Sequence, residues 1–180
     1  MIRFEAPIIL TGFEALSVDT QKYSFTSTVE LSLPPAKLDT LPFEEIIEPV
    51  STIINKIQPN VVYTAYRNDA HTDHKIVFDA VMAATKSFRF PFVKRVLAYE
   101  TISETDFGCK PEDGGFRPNV FINITEYLTK KLDILNTFKS EMGEFPFPRS
   151  PEAVEALAKV RGVQCGALAA EAFMLIKEIL

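Results

Sequence analysis

Two apolar runs separated by a helix-length segment constrain what this chain can fold into. The first run, Val61–Ala65, indicates a buried strand, and Val93–Glu100 indicates the next one. The segment between them, about Asp73 to Lys86, carries apolar residues at helical spacing. A helix between two strands is a βαβ unit, in which the strands are parallel and the crossover is right-handed. The sequence therefore predicts an α/β fold with a mostly parallel sheet flanked by helices.

Further elements follow from periodicity and helix-start signals. Residues 1–28 have no clean period. Pro49 lies inside the apolar face of a helix and predicts a kink there or a shifted start. The other predicted elements are a strand at Val29–Leu33, a helix from about Pro42 to Ile57, a strand at Val120–Ile124, a helix from Thr125 to about Ser140, a helix from Ser150 to about Gly162 and a helix from Gly166 to Leu180.

Composition limits the class of protein. A length of 180 residues, 47% of them hydrophobic, is that of one globular domain, which we place at 1–180. A net charge of −5 without a basic stripe argues against a nucleic-acid partner. Two isolated cysteines suit a reducing compartment, and no segment has the length of a membrane span or the pattern of a signal peptide. The sequence predicts a cytoplasmic protein.

Both histidines of the chain lie in the turn after the first apolar run. The turn contains Asp69, His71, Asp73 and His74, so it follows the carboxyl end of a strand, where open α/β sheets hold their ligands. In one interpretation, an aspartate caps the next helix and the histidines are surface polar residues. In the other, one histidine binds a metal ion and its neighbour acts on the substrate.

Several motifs, taken together, resemble the PIG-L/LmbE family of zinc-dependent N-acetylglucosamine deacetylases. The resemblance covers about residues 29–180 and rests on the order and spacing of the motifs rather than on any one of them. The matching stretches are Pro34–Asp39, Asp69–His74 after Val61–Thr64, Leu97–Glu100, Phe116–Phe121, and Arg161-Gly162 followed by Ala170–Phe173.

The resemblance implies a Rossmann-like sheet and hydrolysis of an N-acetyl group on a small-molecule amino sugar or its conjugate. It implies that His74 binds zinc, that His71 stabilises the oxyanion of the tetrahedral intermediate, and that Asp73 holds a histidine in orientation. A protonated His71 would suit the developing negative charge. The resemblance is compatible with a homo-oligomer.

One part of the family pattern is missing from this chain. The family has a His-Pro-Asp-Asp segment after its first strand, which supplies a histidine ligand, an aspartate ligand and the general base. This sequence has no such segment and no third histidine. A catalytic zinc ion normally has three protein ligands, and the sequence offers one, His74. We therefore expect the first strand–helix units to be missing, through truncation or through a diverged or frame-shifted beginning.

The missing half of the site leaves two functions open. The first is a deacetylase whose chemistry is incomplete in this chain, and the second is a catalytically inactive sugar-binding or partner-binding protein of the same fold. Arg67, Asp69 and Glu100 lie near the same rim of the sheet and are candidates for substrate binding, with a structural role as the alternative. For Arg161 and Glu171 we expect structural polar contacts.

Overall fold

The computed structural model describes residues 25, 27–108 and 110–180. The four strands in this part of the chain are β1 (Val61–Ala65), β2 (Arg95–Tyr99), β3 (Val120–Asn123) and β4 (Ala170–Glu178). Its α-helices are α1 (Phe43–Ile57), α2 (Thr72–Ala83), α3 (Leu128–Leu135) and α4 (Pro151–Cys165). Short 3₁₀ helices lie at Leu38–Thr40, Pro111–Asp113 and Thr125–Tyr127. These elements confirm the predicted α/β class.

The sheet formed by the described residues has the strand order β1-β2-β4-β3. β1 pairs with β2 in parallel, whereas β4 pairs antiparallel with both β2 and β3. β1, β2 and β3 therefore run in one direction, and β4 runs against them. Three of the four described strands thus share one direction, as the predicted mostly parallel sheet implies, and β4 makes the pairing mixed. The βαβ unit β1–α2–β2 is as predicted.

The last strand is the largest error of the sequence prediction. A helix is predicted from Gly166 to Leu180, but this segment contains β4. Gly166 ends α4 in the left-handed conformation, with φ 74°, and the chain then turns back into the sheet. The Ala, Glu, Met, Leu and Lys residues of this segment favour a helix, but hydrogen bonding to a strand on either side outweighs that weak preference.

The predicted strand at Val29–Leu33 is also wrong. No strand forms there, because Ser32 has a positive φ of 52°, which interrupts the extended backbone. Leu31 and Leu33 nevertheless pack against the core. The predictions for residues 1–24 and 26 lie outside the described residues.

Two helices cover the β1–β2 part of the sheet. Val50 and Ile54 of α1 pack with Val81 of α2 and Val96 of β2 in one buried cluster. α1 is continuous from Phe43 through Pro49 to Ile57, so the proline does not shift its start. None of the helices in the described ranges is long and apolar enough to cross a membrane.

Gly162 fixes how closely α4 approaches the segment that leads into β4. It lies inside α4, and a Cβ at this position would be 2.6 Å from the carbonyl oxygen of Ala167 and 2.9 Å from the amide nitrogen of Ala169. Both atoms belong to the backbone, so a side chain cannot be accommodated by a change of rotamer.

We expect Gly162→Ala to lower the free energy of unfolding by about 1–3 kcal/mol through overpacking, although alanine favours a helix more than glycine does. Urea denaturation followed by circular dichroism measures the change. Val163→Ala, at a neighbouring position that is 81% exposed, is the control and should shift stability by less than about 0.5 kcal/mol. Equal stability of the two variants would contradict the close approach.

Candidate functional site

The turn after β1 and the loop after β2 lie against each other because parallel strands end at the same edge of the sheet. The amide of Ala70 in the turn donates to the carbonyl oxygen of Glu104 in the loop at 3.0 Å. Gly108 approaches so closely that a Cβ there would be 2.3 Å from the carbonyl oxygen of Asn68. The loop therefore packs directly on the turn that carries both histidines.

A buried carboxylate connects the two loops. Asp69 is 2% exposed, and its Oδ2 lies 2.6 Å from Nδ1 of His74. Its Oδ1 accepts a hydrogen bond from the hydroxyl of Thr105 at 2.7 Å. The Thr105 oxygen in turn accepts from the amide of Thr101 at 2.8 Å, so the hydroxyl proton is directed to Asp69. Both carboxylate oxygens of Asp69 are thus engaged inside the protein.

This contact determines the tautomer of His74. An ionised carboxylate only accepts hydrogen bonds, so Nδ1 of His74 carries a proton. In the neutral ring, Nε2 then has a free lone pair, and the carboxylate partner fixes the orientation of the ring. The His74 side chain is 23% exposed, so the ring is partly accessible to solvent.

His71 has the opposite tautomer. It is the N-cap of α2, and its Nδ1 accepts a hydrogen bond from the amide of Asp73 at 3.2 Å. Nδ1 therefore carries no proton, and in the neutral ring Nε2–H is a donor. The rings of His71 and His74 stack with their centroids 5.2 Å apart and their planes at 22°. Two adjacent imidazoles thus offer one hydrogen-bond donor and one lone pair.

The carboxylate of Asp73, which the sequence predicts to hold a histidine in orientation, accepts from the amide of Ala36 at 2.7 Å and from the amide of Leu38 at 3.1 Å. Asp73 therefore fixes the segment before α1 to the start of α2. The carboxylate that orients a histidine is Asp69.

The other predicted substrate-binding residues have partners within the protein. Arg67 makes two hydrogen bonds to Asp79, at 2.7 and 3.2 Å. Both oxygens of Glu100 bind the guanidinium of Arg161 on α4, at 2.8 and 2.5 Å, which confirms the structural role expected for Arg161. These contacts favour the structural alternative for Arg67 and Glu100. Glu171 pairs with Lys131, as a structural role implies.

The sequence does not reveal two further parts of the site. Thr105 lies in the loop after β2. The sequence indicates that this loop is near the site only because β2 is predicted to lie next to β1. A cleft of about 550 Å³ opens beside His71, between the segment 38–46 and the start of α2. The lining residues of segment 38–46 lie at least 25 residues before the histidines, so no local motif could connect the two.

The residues of the site do not fit a complete zinc site. In the described ranges, no group of three or more histidine, cysteine, aspartate or glutamate side chains is placed to hold a metal ion. The chain has two histidines, and the Nε2–H of His71 is a donor rather than a ligand. Nε2 of His74 is the ring nitrogen with a free lone pair, whereas a catalytic zinc ion normally has three protein ligands.

We expect nitrogen NMR of the imidazole rings to show the Nδ1–H tautomer for His74 and the Nε2–H tautomer for His71 at a pH where both rings are neutral. Two histidines in the chain make the assignment direct. Asp69→Asn should change the pattern of His74 and leave that of His71 unchanged, because the amide can turn either its oxygen or its nitrogen to the ring. The same tautomer for both rings of the unaltered protein would contradict the contacts.

Asp73→Ala should lower the free energy of unfolding by about 2–5 kcal/mol, because two backbone amides lose a charged acceptor and one of them is buried. Thermal or urea denaturation measures the loss. Asp39→Ala removes an exposed carboxylate from the same segment and should cost less than about 0.5 kcal/mol. A loss below that value for Asp73→Ala would show that the two hydrogen bonds do not hold the segment.

The family model described as PIG-L, GlcNAc-PI de-N-acetylase, matches residues 11–85, which include β1 and the histidine turn. A conserved protein from Thermus thermophilus has a similar structure, with a TM-score of 0.73, 19% identity, and coverage of 96% of this chain and 81% of that protein.

Two similar structures have named activities. N,N'-diacetylchitobiose deacetylase from Pyrococcus horikoshii has a TM-score of 0.71 and 15% identity, over 91% of this chain and 62% of its own. GalB, the 4-carboxy-2-hydroxymuconate hydratase from Pseudomonas putida KT2440, has a TM-score of 0.70 and 16% identity, over 93% of this chain and 71% of its own. This chain thus spans less than two thirds of the deacetylase. At these identities the structures confirm the fold alone, and the family match over residues 11–85 bears out the resemblance to the PIG-L family.

Proposed function

We propose that this chain carries the histidine half of a deacetylase site, which hydrolyses an N-acetyl group on an amino sugar or its conjugate. The observation that carries the proposal is the pair of histidines at the rim of the sheet. Nε2 of His71 bears a proton that can be donated, whereas Nε2 of His74 has a free lone pair. The family match at the histidine turn and the deacetylase of similar fold support the same reaction.

His71 is suited to the carbonyl oxygen of the acetyl group. Its Nε2–H can donate to that oxygen, and the hydrogen bond strengthens as negative charge develops on the oxygen in the transition state. The helix-cap contact at Nδ1 leaves Nε2–H free to be this donor. Its position at the N-terminus of α2 adds a favourable dipole for the negative charge.

His74 is suited to present a lone pair, with Asp69 and Thr105 holding its ring in place. In the metal-dependent reaction of the family, this nitrogen would be one zinc ligand. The donors needed to complete such a site are not among the described residues, and the sequence lacks the His-Pro-Asp-Asp segment. We therefore assign no step of the reaction to zinc in this chain.

The substrate we propose is a small-molecule amino sugar, and the compartment is the cytoplasm, which suits two isolated cysteines. The alternative is a protein of the same fold that binds a sugar or a partner without catalysis. Acetate release distinguishes the two, because only hydrolysis produces it.

The test is acetate release from N-acetylglucosamine by the purified chain, with and without added zinc. His71→Asn keeps a good helix cap but removes the Nε2–H donor, and His74→Ala removes the lone pair. We expect each variant to reduce kcat/KM at least about 100-fold. Lys86→Ala, at an exposed position after α2, is the control and should stay within about twofold of the unaltered chain.

Two results would overturn the proposal. Acetate release that persists in His71→Asn and His74→Ala would place the activity elsewhere. No release by the unaltered chain, with or without zinc, would favour the non-catalytic alternative. Circular dichroism of each variant checks that a loss of activity is not a loss of folding.

A further inference from the structure

The loop after β2 contains a strained residue directly before its contacts with the histidine turn. Ser103 has a φ of 74°, in the left-handed region that favours glycine. The next two residues contact the turn: the carbonyl oxygen of Glu104 accepts from the amide of Ala70, and the hydroxyl of Thr105 donates to Asp69. A conformation like that of Ser103 persists only where the surrounding structure holds it.

Arg149 supplies a contact that holds Ser103. Its Nη1 donates to the hydroxyl oxygen of Ser103 at 2.9 Å, although the two residues are 46 positions apart. The same hydroxyl donates to the carboxylate of Glu104 at 3.4 Å. The Ser103 side chain therefore lies between a guanidinium group and a carboxylate, inside the loop that contacts the histidine turn.

The guanidinium group of Arg149 is itself held by other contacts. Its Nε donates to the carbonyl oxygen of Glu141 at 2.7 Å, and its Nη2 lies 3.3 Å from the carboxylate of the same residue. Its Cζ lies 5.2 Å from the centre of the Phe147 ring. Because a guanidinium group is planar and its donors have fixed directions, these contacts orient the Nη1 donor towards Ser103.

The backbone of Arg149 is attached to the start of α4. The next residue, Ser150, is fully buried and is the N-cap of that helix, with its hydroxyl accepting from the amide of Ala153 at 3.1 Å. Glu100, at the start of the loop after β2, binds Arg161 of the same helix. The loop is thus joined to α4 and its N-terminal connection at two points.

We propose that Arg149 is a positioning residue for the histidine site. It holds Ser103, and through the loop it keeps the Thr105 hydroxyl against Asp69, which fixes the ring of His74. The inference rests on the proposed function in treating His74 as a residue of the site. Arg149 itself needs no contact with a substrate in this role.

The experiment measures hydrogen exchange by NMR in the protein without substrate. Two protons report on the loop: the Nδ1 proton of His74 and the amide proton of Ala70. We expect Arg149→Met, which keeps an aliphatic stem but removes every donor, to speed both exchanges at least about tenfold, because the loop opens more often. The amide of Ala84, which donates to Ala80 at the end of α2, should exchange at its original rate.

Two further variants define the route of the effect. Arg89→Met is the matched control, because Arg89 is an exposed arginine whose Cζ lies 5.6 Å from the centre of the Phe88 ring. It should leave the exchange of both reporter protons unchanged. Ser103→Ala removes the hydroxyl from the other side of the contact and should speed exchange as Arg149→Met does. The double variant should exchange no faster than either single one, because both changes remove the same contact.

Three results would overturn the inference. The first is unchanged exchange of both reporter protons in folded Arg149→Met, or in Ser103→Ala where Arg149→Met does not fold. The second is an additive effect in the double variant, and the third is an equal acceleration in Arg89→Met. The outcome is separate from that of the proposed hydrolysis, because no turnover is measured. Faster exchange in a chain that releases no acetate would support the positioning role and overturn the hydrolysis.

Discussion

The arrangement of the candidate site depends on the buried carboxylate of Asp69. It joins the turn after β1 to the loop after β2 through His74 on one side and Thr105 on the other. The side chain is withdrawn from solvent, so each hydrogen bond acts in a medium of low dielectric constant, where it is stronger than in water. Loss of one partner would leave a buried acceptor unsatisfied, at a cost of about 1–3 kcal/mol. The histidine ring and the second loop are therefore held by the same group.

The parts of the fold that the sequence predicts correctly are those whose signal is local. β1 and β2 are apolar runs, and α2 between them has the helical period, so the βαβ unit follows from pattern alone. β4 could not be predicted in this way. Its residues suit a helix by propensity, and only the strands β2 and β3, far away in the sequence, make it a strand.

In the candidate site, too, only the features with a local sequence signal could be predicted. That both histidines lie at the end of a strand follows from the order of elements. Which aspartate holds His74 does not, because Asp69 precedes the two histidines, Asp73 lies between them, and either could approach His74. The fold determines the partners of each carboxylate. Asp73 accepts hydrogen bonds from amides more than 30 residues earlier in the chain, and Asp69 accepts one from a threonine hydroxyl more than 30 residues later. Contacts of that range leave no local pattern.

The fold itself does not decide the reaction, since a hydratase and a deacetylase both resemble this chain in structure. The chemistry therefore depends on the side chains at the rim of the sheet. Two identical residues, one at the N-cap and one in the first turn of α2, acquire different chemistry because one Nδ1 accepts from a backbone amide and the other donates to a carboxylate. In the proposed reaction, this difference suits the Nε2–H of His71 to donate to a substrate oxygen and the Nε2 of His74 to offer its lone pair.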